Sequence, residues 1–397
     1  MPGNAKGEGD GGVGKAPDPS LMTKARKRLD DALVHIHKNE VRAAETALME
    51  TISLMERAGA GPEDMVKPYI QLSKIFVSGG DLSKSEAMAL KAVELVSRQR
   101  VSIGTKAEAM AALGLALTWK GELAKAGDTL EKALNMFETA KDDRGIAIVC
   151  RYIGNTLIMK NMYAKALAYY SRAVKIDQAM GLEDEVDRVM SNMALAKGLQ
   201  GLYSDAIKDF ETLLERATKH EENRTIAICL TNIGDFYVML ERWDDALMNY
   251  DRSIVLCTEL GASGVNAHNI TGKAGALLGK GDVTAAEQLM SKHYEEILAG
   301  KSDDSIAHLH RTMGRISMER GDSKKGDEEY KKAERLFMKG DVLELARLYS
   351  FWAIAHMRNG DRRGATIFFN KAGKIFKDLK LPLLYNELDN IKKKSGL

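Results

Sequence analysis

Near the start of the chain, two glycine-rich stretches have spacings typical of phosphate-binding turns, but neither follows a β-strand. Gly7, Gly9 and Gly12 have the spacing of a dinucleotide-binding turn, and Gly9, Gly14 and Lys15 approximate a phosphate-binding loop. Both motifs require a preceding β-strand, and the residues before them predict none. We therefore interpret this stretch as glycine-rich chain and not as a phosphate site.

Histidine and cysteine give no indication of catalysis either. His308 and His310 are two residues apart, so on a helix they point to different faces and cannot form a metal pair. The three cysteines are widely spaced and odd in number, which excludes a disulfide framework, and Cys150 and Cys229 are expected in a helical core. The sequence contains no HExxH, CxxC or GxSxG motif. We expect no metal, no cofactor and no enzymatic activity.

The composition indicates a globular helical protein. The chain has 397 residues, 45% hydrophobic and 29% charged, with 58 Lys and Arg against 56 Asp and Glu. That balance does not favour a nucleic-acid coat. No proline occurs between Tyr69 and Leu381, although the chain has 35 glycines, a pattern typical of helices separated by glycine turns. Residues 1–20 predict a flexible tail without a secretory signal, and no apolar run approaches the ~18 residues of a membrane span, so we expect a cytoplasmic location.

The organising feature is an internal repeat of 39–41 residues. A small residue recurs nine times, a second small residue follows twelve positions later, and a large apolar residue usually follows four positions after that. The first small residues are Ala32, Ser73, Gly114, Gly154, Ala194, Gly234, Ala274, Gly314 and Ala353. Nine units in one register predict nine copies of one structural element.

Each unit is predicted to be a helical hairpin, because apolar residues recur at helical spacing on both sides of a turn. Gly or Asn, which tolerate a left-handed helix end, occupies eight of nine turn positions, with Glu241 as the exception. Small residues let the two helices cross closely. Polar loops such as 141–143 and 301–304 are expected to cap the following helix. Tryptophans fall on apolar positions and are expected in the core: Trp119, Trp243 and Trp352.

This skeleton of small, small and aromatic residues resembles the tetratricopeptide repeat at motif positions 8, 20 and 24. The period is 40 instead of 34 and the closing proline is missing, which is similar to the subclass in Pins/LGN-type polarity adaptors. The resemblance implies an all-α, right-handed α-solenoid of about nine hairpins over residues 21–380. Residues 381–397 would add a capping helix, in which Leu384, Leu388 and Ile391 form the apolar stripe, and a basic C-terminus.

In that family the first helix of each repeat lines a concave groove through motif positions 2, 5 and 9. Transferred to this chain, Lys or Arg occupies eight of 27 such positions and acids occupy two, Glu108 and Asp235. The peptide-groove candidates are Arg151, Asn155, Arg188, Asn192, Asn232 and Asp235 in units four to six, and His308, Arg311, Arg315, Arg347 and Arg358 in units eight and nine. Asn can hold a peptide backbone, and Arg suits carboxylates. The alternative is that these cations pair with acids on neighbouring helices.

The leading hypothesis is a non-catalytic scaffold or adaptor that binds a peptide segment, with an acidic one favoured by the basic bias. A regulatory sensor for a signal peptide or small ligand is the second hypothesis, although the repeats leave little chain for an output domain. RNA binding is a minor third, because the groove positions lack aromatic platforms for bases. Self-association through the solenoid ends is a further possibility, and no membrane partner is expected.

Overall fold

The computed structural model describes residues 16–38, 40–97, 101–339 and 342–397. Throughout these ranges the regular structure is α-helical, without a β-strand. Contacts divide the chain into two compact units, Met1–Leu182 and Glu183–Leu397. The predicted tail lies mostly outside the described residues, as does the turn position Asn39, and the predicted domain limits at residues 20 and 380 stay predictions.

In the first unit, consecutive helices pair into hairpins. Its described helices are α1 (Pro19–His37), α2 (Val41–Ala58), α3 (Pro62–Ser78), α4 (Leu82–Ser97), α5 (Ile103–Trp119), α6 (Leu123–Ala140), α7 (Asp143–Met159) and α8 (Tyr163–Ala179).

The second unit repeats this arrangement and adds one unpaired helix at its end. Its described helices are α9 (Glu183–Leu199), α10 (Tyr203–Lys219), α11 (Asn223–Met239), α12 (Trp243–Glu259), α13 (Ser263–Lys280), α14 (Val283–Ala299), α15 (Asp303–Glu319), α16 (Ser323–Phe337), α17 (Val342–Arg358), α18 (Arg362–Asp378) and α19 (Pro382–Lys394).

The hairpin turns adopt the predicted left-handed conformation. Asn161 has φ of 56° and Gly281 has φ of 89°. Glu241, the residue outside the Gly/Asn pattern, has φ of 57°, so the fold imposes the same turn on a side chain that disfavours it. The predicted caps also form: Asp142 accepts a hydrogen bond from Gly145 N at 3.0 Å, and Ser302 accepts one from Ser305 N at 3.3 Å.

The small residues allow the paired helices to approach. A Cβ atom added to Gly154 would lie 2.3 Å from the ring of Tyr170, which is the large residue sixteen positions later in the repeat. Gly314 stands in the same relation to Tyr330, at 2.9 Å. Both tyrosines are almost completely buried. In these two hairpins the core is therefore an aromatic ring packed directly on the backbone of the facing helix.

One core expectation is wrong. Trp352 is buried, but Trp119 is 48% exposed, because it is the last residue of α5 and projects from the hairpin turn instead of packing between helices. The cysteines Cys150 and Cys229 are buried as expected.

Candidate functional site

A polar cavity of about 140 Å³ lies in the second unit, on the side formed by the first helices of its hairpins. Its lining comes from α9, α11, α13, α15 and α17, with Tyr250 from α12. The structure gathers six of the predicted groove residues around it: Asn232, Asp235, His308, Arg311, Arg315 and Arg347. Within this unit, the motif positions transferred from the repeat family thus meet at one site.

Asp235 holds one side of the cavity. Its carboxylate accepts hydrogen bonds from Tyr250 Oη at 2.6 Å and from His268 Nε2 at 2.8 Å. Burial raises the cost of ionising Asp235, but the His268 charge and these hydrogen bonds outweigh it and lower its pKa. The carboxylate in turn raises the pKa of His268 to about 9, against the effect of burial. The two form an ion pair at neutral pH.

Glu344 holds the opposite side. Its carboxylate accepts from Arg311 Nη1 at 2.5 Å and from Arg347 Nη1 at 2.6 Å. Burial opposes the charge, but Arg347 and Arg311 together hold the pKa of Glu344 well below its usual range. Two of the predicted ligand-binding arginines are therefore paired inside the protein with one shared carboxylate, as the alternative interpretation of the basic positions required.

Other candidates away from the cavity are paired as well. In the first unit, Arg151 Nη1 donates to the buried Asp177 at 2.7 Å, and Asn155 accepts from Tyr170 Oη at 2.7 Å. In the second unit, Arg358 pairs with Glu319 at 2.6 Å.

The remaining candidates lie on α9 and α11 of the second unit. Arg188 is exposed and pairs with Glu185 one turn earlier on α9, the helix that also carries Asn192. Asn232 Nδ2 donates to the Ile228 carbonyl at 2.8 Å, within its own helix. The candidates of repeats four to six therefore belong to different compact units: Arg151 and Asn155 lie in the first, and Arg188, Asn192, Asn232 and Asp235 lie in the second.

Arg315 is the exception at the cavity. It is half-buried and makes no hydrogen bond or ion pair with any described residue. Its guanidinium lies 4.7 Å from the ring centre of Phe351, and Gly275 leaves room for it, since a Cβ there would be 3.4 Å from Nη1. Burial lowers the pKa of Arg315 to about 10. The site thus presents a desolvated cation that lacks an anion.

A second cavity, of about 160 Å³, adjoins the first and is mostly apolar. It shares Arg315, Arg347 and Phe351 with the polar cavity, and its other wall is α19. The predicted apolar stripe of this helix, Leu384, Leu388 and Ile391, lines the chamber; the first two are buried. Across the chamber stand Val238 and Met239 of α11 and Trp243 of α12.

The last helix therefore does more than the predicted capping. It packs on α18, and a Cβ added to Gly201, in the turn before α10, would meet Leu383 Cβ at 3.3 Å. Within the second unit α19 reaches the turns of earlier hairpins and encloses the chamber.

Sequence reasoning missed Glu344 and Phe351. Glu344 stands three residues before Arg347 and Phe351 four after it, the spacings of helical neighbours, so the signal was present. Among the described residues, no cluster of His, Cys, Asp and Glu could hold a metal ion, and no described helix is long and apolar enough to cross a membrane.

Known proteins with this architecture are helical-repeat proteins. A family model described as tetratricopeptide repeat matches residues 106–179 and 185–259. A Rap protein complexed with competence and sporulation factor is similar in structure, with a TM-score of 0.70, 14% identity, and 90% of this chain and 99% of that chain covered.

Two further structures are similar. The apo form of the quorum sensor NprR from B. thuringiensis gives a TM-score of 0.67 at 16% identity, covering 90% of this chain and 99% of that chain. NprR in complex with its cognate peptide NprX gives 0.58 at 14% identity, covering 89% and 99%. None of the curated proteins compared with the sequence matches it. The match identifies tetratricopeptide repeats over residues 106–179 and 185–259, and the helical architecture together with the similar structures shows an all-α helical-repeat fold.

Proposed function

We propose that the protein is a non-catalytic peptide-binding module whose second unit takes an acidic segment in the polar cavity. The observation that carries the proposal is Arg315, a half-buried cation without an anionic partner among the described residues. A buried charge is costly unless an opposite charge meets it. Because the Arg315 guanidinium has already lost part of its water in the folded protein, an acidic ligand that pairs with it does not bear that desolvation cost on binding.

Two similar structures support a peptide as the ligand. One is a Rap protein with competence and sporulation factor bound, and the other is NprR with its cognate peptide NprX. Both share the fold at low identity, so the proposal rests on the cavity and the comparison agrees with it.

In this proposal the candidate residues divide into two roles. Arg315 contacts the acid, while Arg311 and Arg347 are held by Glu344 and contribute positive potential at the rim. The other candidates in the second unit, Arg188, Asn192 and Arg358, stay predictions as contacts for the rest of a bound segment, and Arg151 and Asn155 stay predictions for the first unit.

The test is peptide binding by the full chain, measured by fluorescence anisotropy with a set of labelled ten-residue peptides rich in Asp and Glu. We expect Arg315→Gln to weaken the best binder about tenfold or more, the loss of one charge-assisted contact. Arg320→Gln removes the same charge from an exposed pair with Glu287 and should change affinity less than about twofold. If no peptide binds, or if both variants bind like the wild type, the proposal is wrong.

The proposal also covers the cellular location and the oligomeric state of the protein. A cytoplasmic location is consistent with cysteines that are free and buried in the described chain. Light scattering of the purified protein tests self-association. An RNA ligand would be recognised by binding that weakens steeply with salt, which a peptide held by one arginine does not show.

A further inference from the structure

The repeat provides an internal comparison at its buried tyrosines. In the fourth hairpin Tyr170 Oη donates to Asn155 at 2.7 Å, and in the sixth Tyr250 Oη donates to Asp235 at 2.6 Å. In both, the acceptor stands fifteen residues before the tyrosine. In the eighth hairpin that position holds Arg315, which can only donate.

Tyr330 consequently lacks its acceptor. Its side chain is fully buried, and its hydroxyl has no hydrogen-bond partner among the described residues. The Arg315 guanidinium is close enough for each group to shift the pKa of the other. Nε of Arg347 is also buried without a partner. This part of the inner face therefore carries several hydrogen-bond donors that have no acceptor among the described residues, which is unusual inside a protein.

The apolar chamber lies directly beside the two arginines, with Arg315, Arg347 and Phe351 on its wall. Its volume of about 160 Å³ is close to that of an engineered cavity of about 150 Å³ that binds benzene. It can therefore take an apolar group of about six heavy atoms.

The charges around the chamber select a monoanion. Glu241 and Glu387 also line it, and burial followed by the proximity of Glu241 raises the pKa of Glu387. A dianion such as a phosphate monoester would face these carboxylates with one uncommitted arginine, whereas a single carboxylate matches it.

We propose that Arg315 forms a subsite for a carboxylate whose apolar substituent of about six heavy atoms enters the chamber beside α19. The carboxylate can belong to the C-terminal residue of a peptide or to a free carboxylic acid. In its peptide form the inference rests on the proposed function; in its small-acid form it stands without it.

The first experiment uses a probe that needs no peptide. Binding of 4-methylpentanoate to the full chain is measured by calorimetry, with 4-methylpentanamide and acetate as probes that lack the charge and the apolar group. Trp243, on the chamber wall, provides a second signal through its fluorescence. We expect saturable binding of the acid, and binding of the amide and of acetate weaker by about tenfold or more.

Variants assign the site. Arg315→Gln should remove the preference for acid over amide, and Arg315→Lys should retain part of it. Arg320→Gln removes an exposed arginine that is paired with Glu287 and lies outside both cavities, and it should leave the preference unchanged. Melting temperatures accompany each titration, so that a variant that fails to fold is recognised and Arg315→Lys then decides.

A peptide arm separates the two sources and the two proposals. Acidic peptides ending in Leu are compared with a free C-terminal carboxylate and with a C-terminal amide. A preference for the free carboxylate supports the peptide source; acid binding with no peptide binding supports the subsite and overturns the proposed function. Arg315-dependent peptide binding with neither acid binding nor a carboxylate preference overturns the subsite and leaves the proposed function standing.

Discussion

Tyr250 donates its phenolic proton to Asp235 at 2.6 Å, whereas Tyr330, its equivalent two hairpins later, has no acceptor among the described residues. The two rings are packed alike, against Gly234 and Gly314. Tyr250→Phe should therefore destabilise the protein by about 1.5–3 kcal/mol, the worth of a hydrogen bond to a charged group. Tyr330→Phe should be neutral or stabilising, because it removes a buried hydroxyl that has lost its water.

Thermal unfolding of the two variants measures this difference directly. Since both substitutions remove one oxygen from a buried ring, each serves as the control for the other. Equal losses of stability would show that Tyr330 has an acceptor in solution, which would contradict the difference between the two hairpins.

The Arg311–Glu344–Arg347 cluster is expected to be a major stabilising element of the second unit. Glu344→Gln leaves two largely buried guanidinium groups without their anion, so we expect a loss of about 3–5 kcal/mol. Glu319→Gln breaks the exposed pair with Arg358 and should cost less than about 1 kcal/mol. Melting temperatures in low and high salt distinguish them, and a Glu344 variant as stable as the Glu319 variant would contradict the prediction.

The cluster also restricts how the binding site can be tested. Charge reversal of Arg311 would set a new carboxylate against Glu344 and destabilise the fold. A loss of binding in that variant could not be distinguished from unfolding. Arg315, which no described acid neutralises, is the position where charge can be changed while the fold is kept.

The His268–Asp235 pair predicts that stability falls in alkali. The pKa of His268 is raised from about 6.5 to about 9, so its contribution is complete below about pH 6.5 and is lost as the pH rises through 9. Asp304 and Glu344 reinforce the raised pKa. Asp235 acts in the opposite range: its contribution is present above its ordinary pKa and is lost as the pH falls through its lowered pKa.

We expect the wild type to lose about 1–2 kcal/mol between pH 6.5 and 9.5 relative to His268→Asn, a figure reduced because about a third of the His268 side chain is exposed. Melting temperatures at three pH values provide the comparison. Parallel curves for the two proteins would mean that the histidine is not charged in the folded state.

Close packing at the repeated glycines gives a fourth prediction. Gly154→Ala would place a methyl group 2.3 Å from the Tyr170 ring, and we expect a loss of about 1–3 kcal/mol or more. Gly264→Ala, in the first turn of α13 with nothing within 4 Å, should instead stabilise by about 0.4–1 kcal/mol. Denaturant midpoints measure both, and the same sign for the two substitutions would be inconsistent with ring-on-backbone packing.

Much of the fold was predictable because its causes are local. The turn at Asn161 and the cap at Asp142 each depend on residues within one or two helical turns, and the period of 40 residues is the regular recurrence of such local signals. Glu241 shows the limit of the composition argument, since its turn follows from its place in the repeat and not from its residue type. Trp119 shows another, because an apolar position at the end of a helix need not face the core.

The site was predictable only in outline. Motif positions placed Arg311, Arg315 and Arg347 at the inner positions of repeats eight and nine, and all three line the polar cavity. Which of them is paired with an acid could not be known, because Arg311 and Glu344 are 33 residues apart and their distance depends on how successive hairpins stack. Nothing local distinguishes Arg315 from Arg311.

The sequence by itself therefore determined the repeat, its hairpins and the basic character of their inner positions, since periodicity, turn residues and charge are properties of short stretches. Only the tertiary structure decided that, among the described residues, Arg315 has no anionic partner and Tyr330 has no acceptor, and that α19 forms one wall of an apolar chamber beside Arg315. Those facts arise from contacts between residues far apart in the chain, and such contacts are fixed when the helices pack.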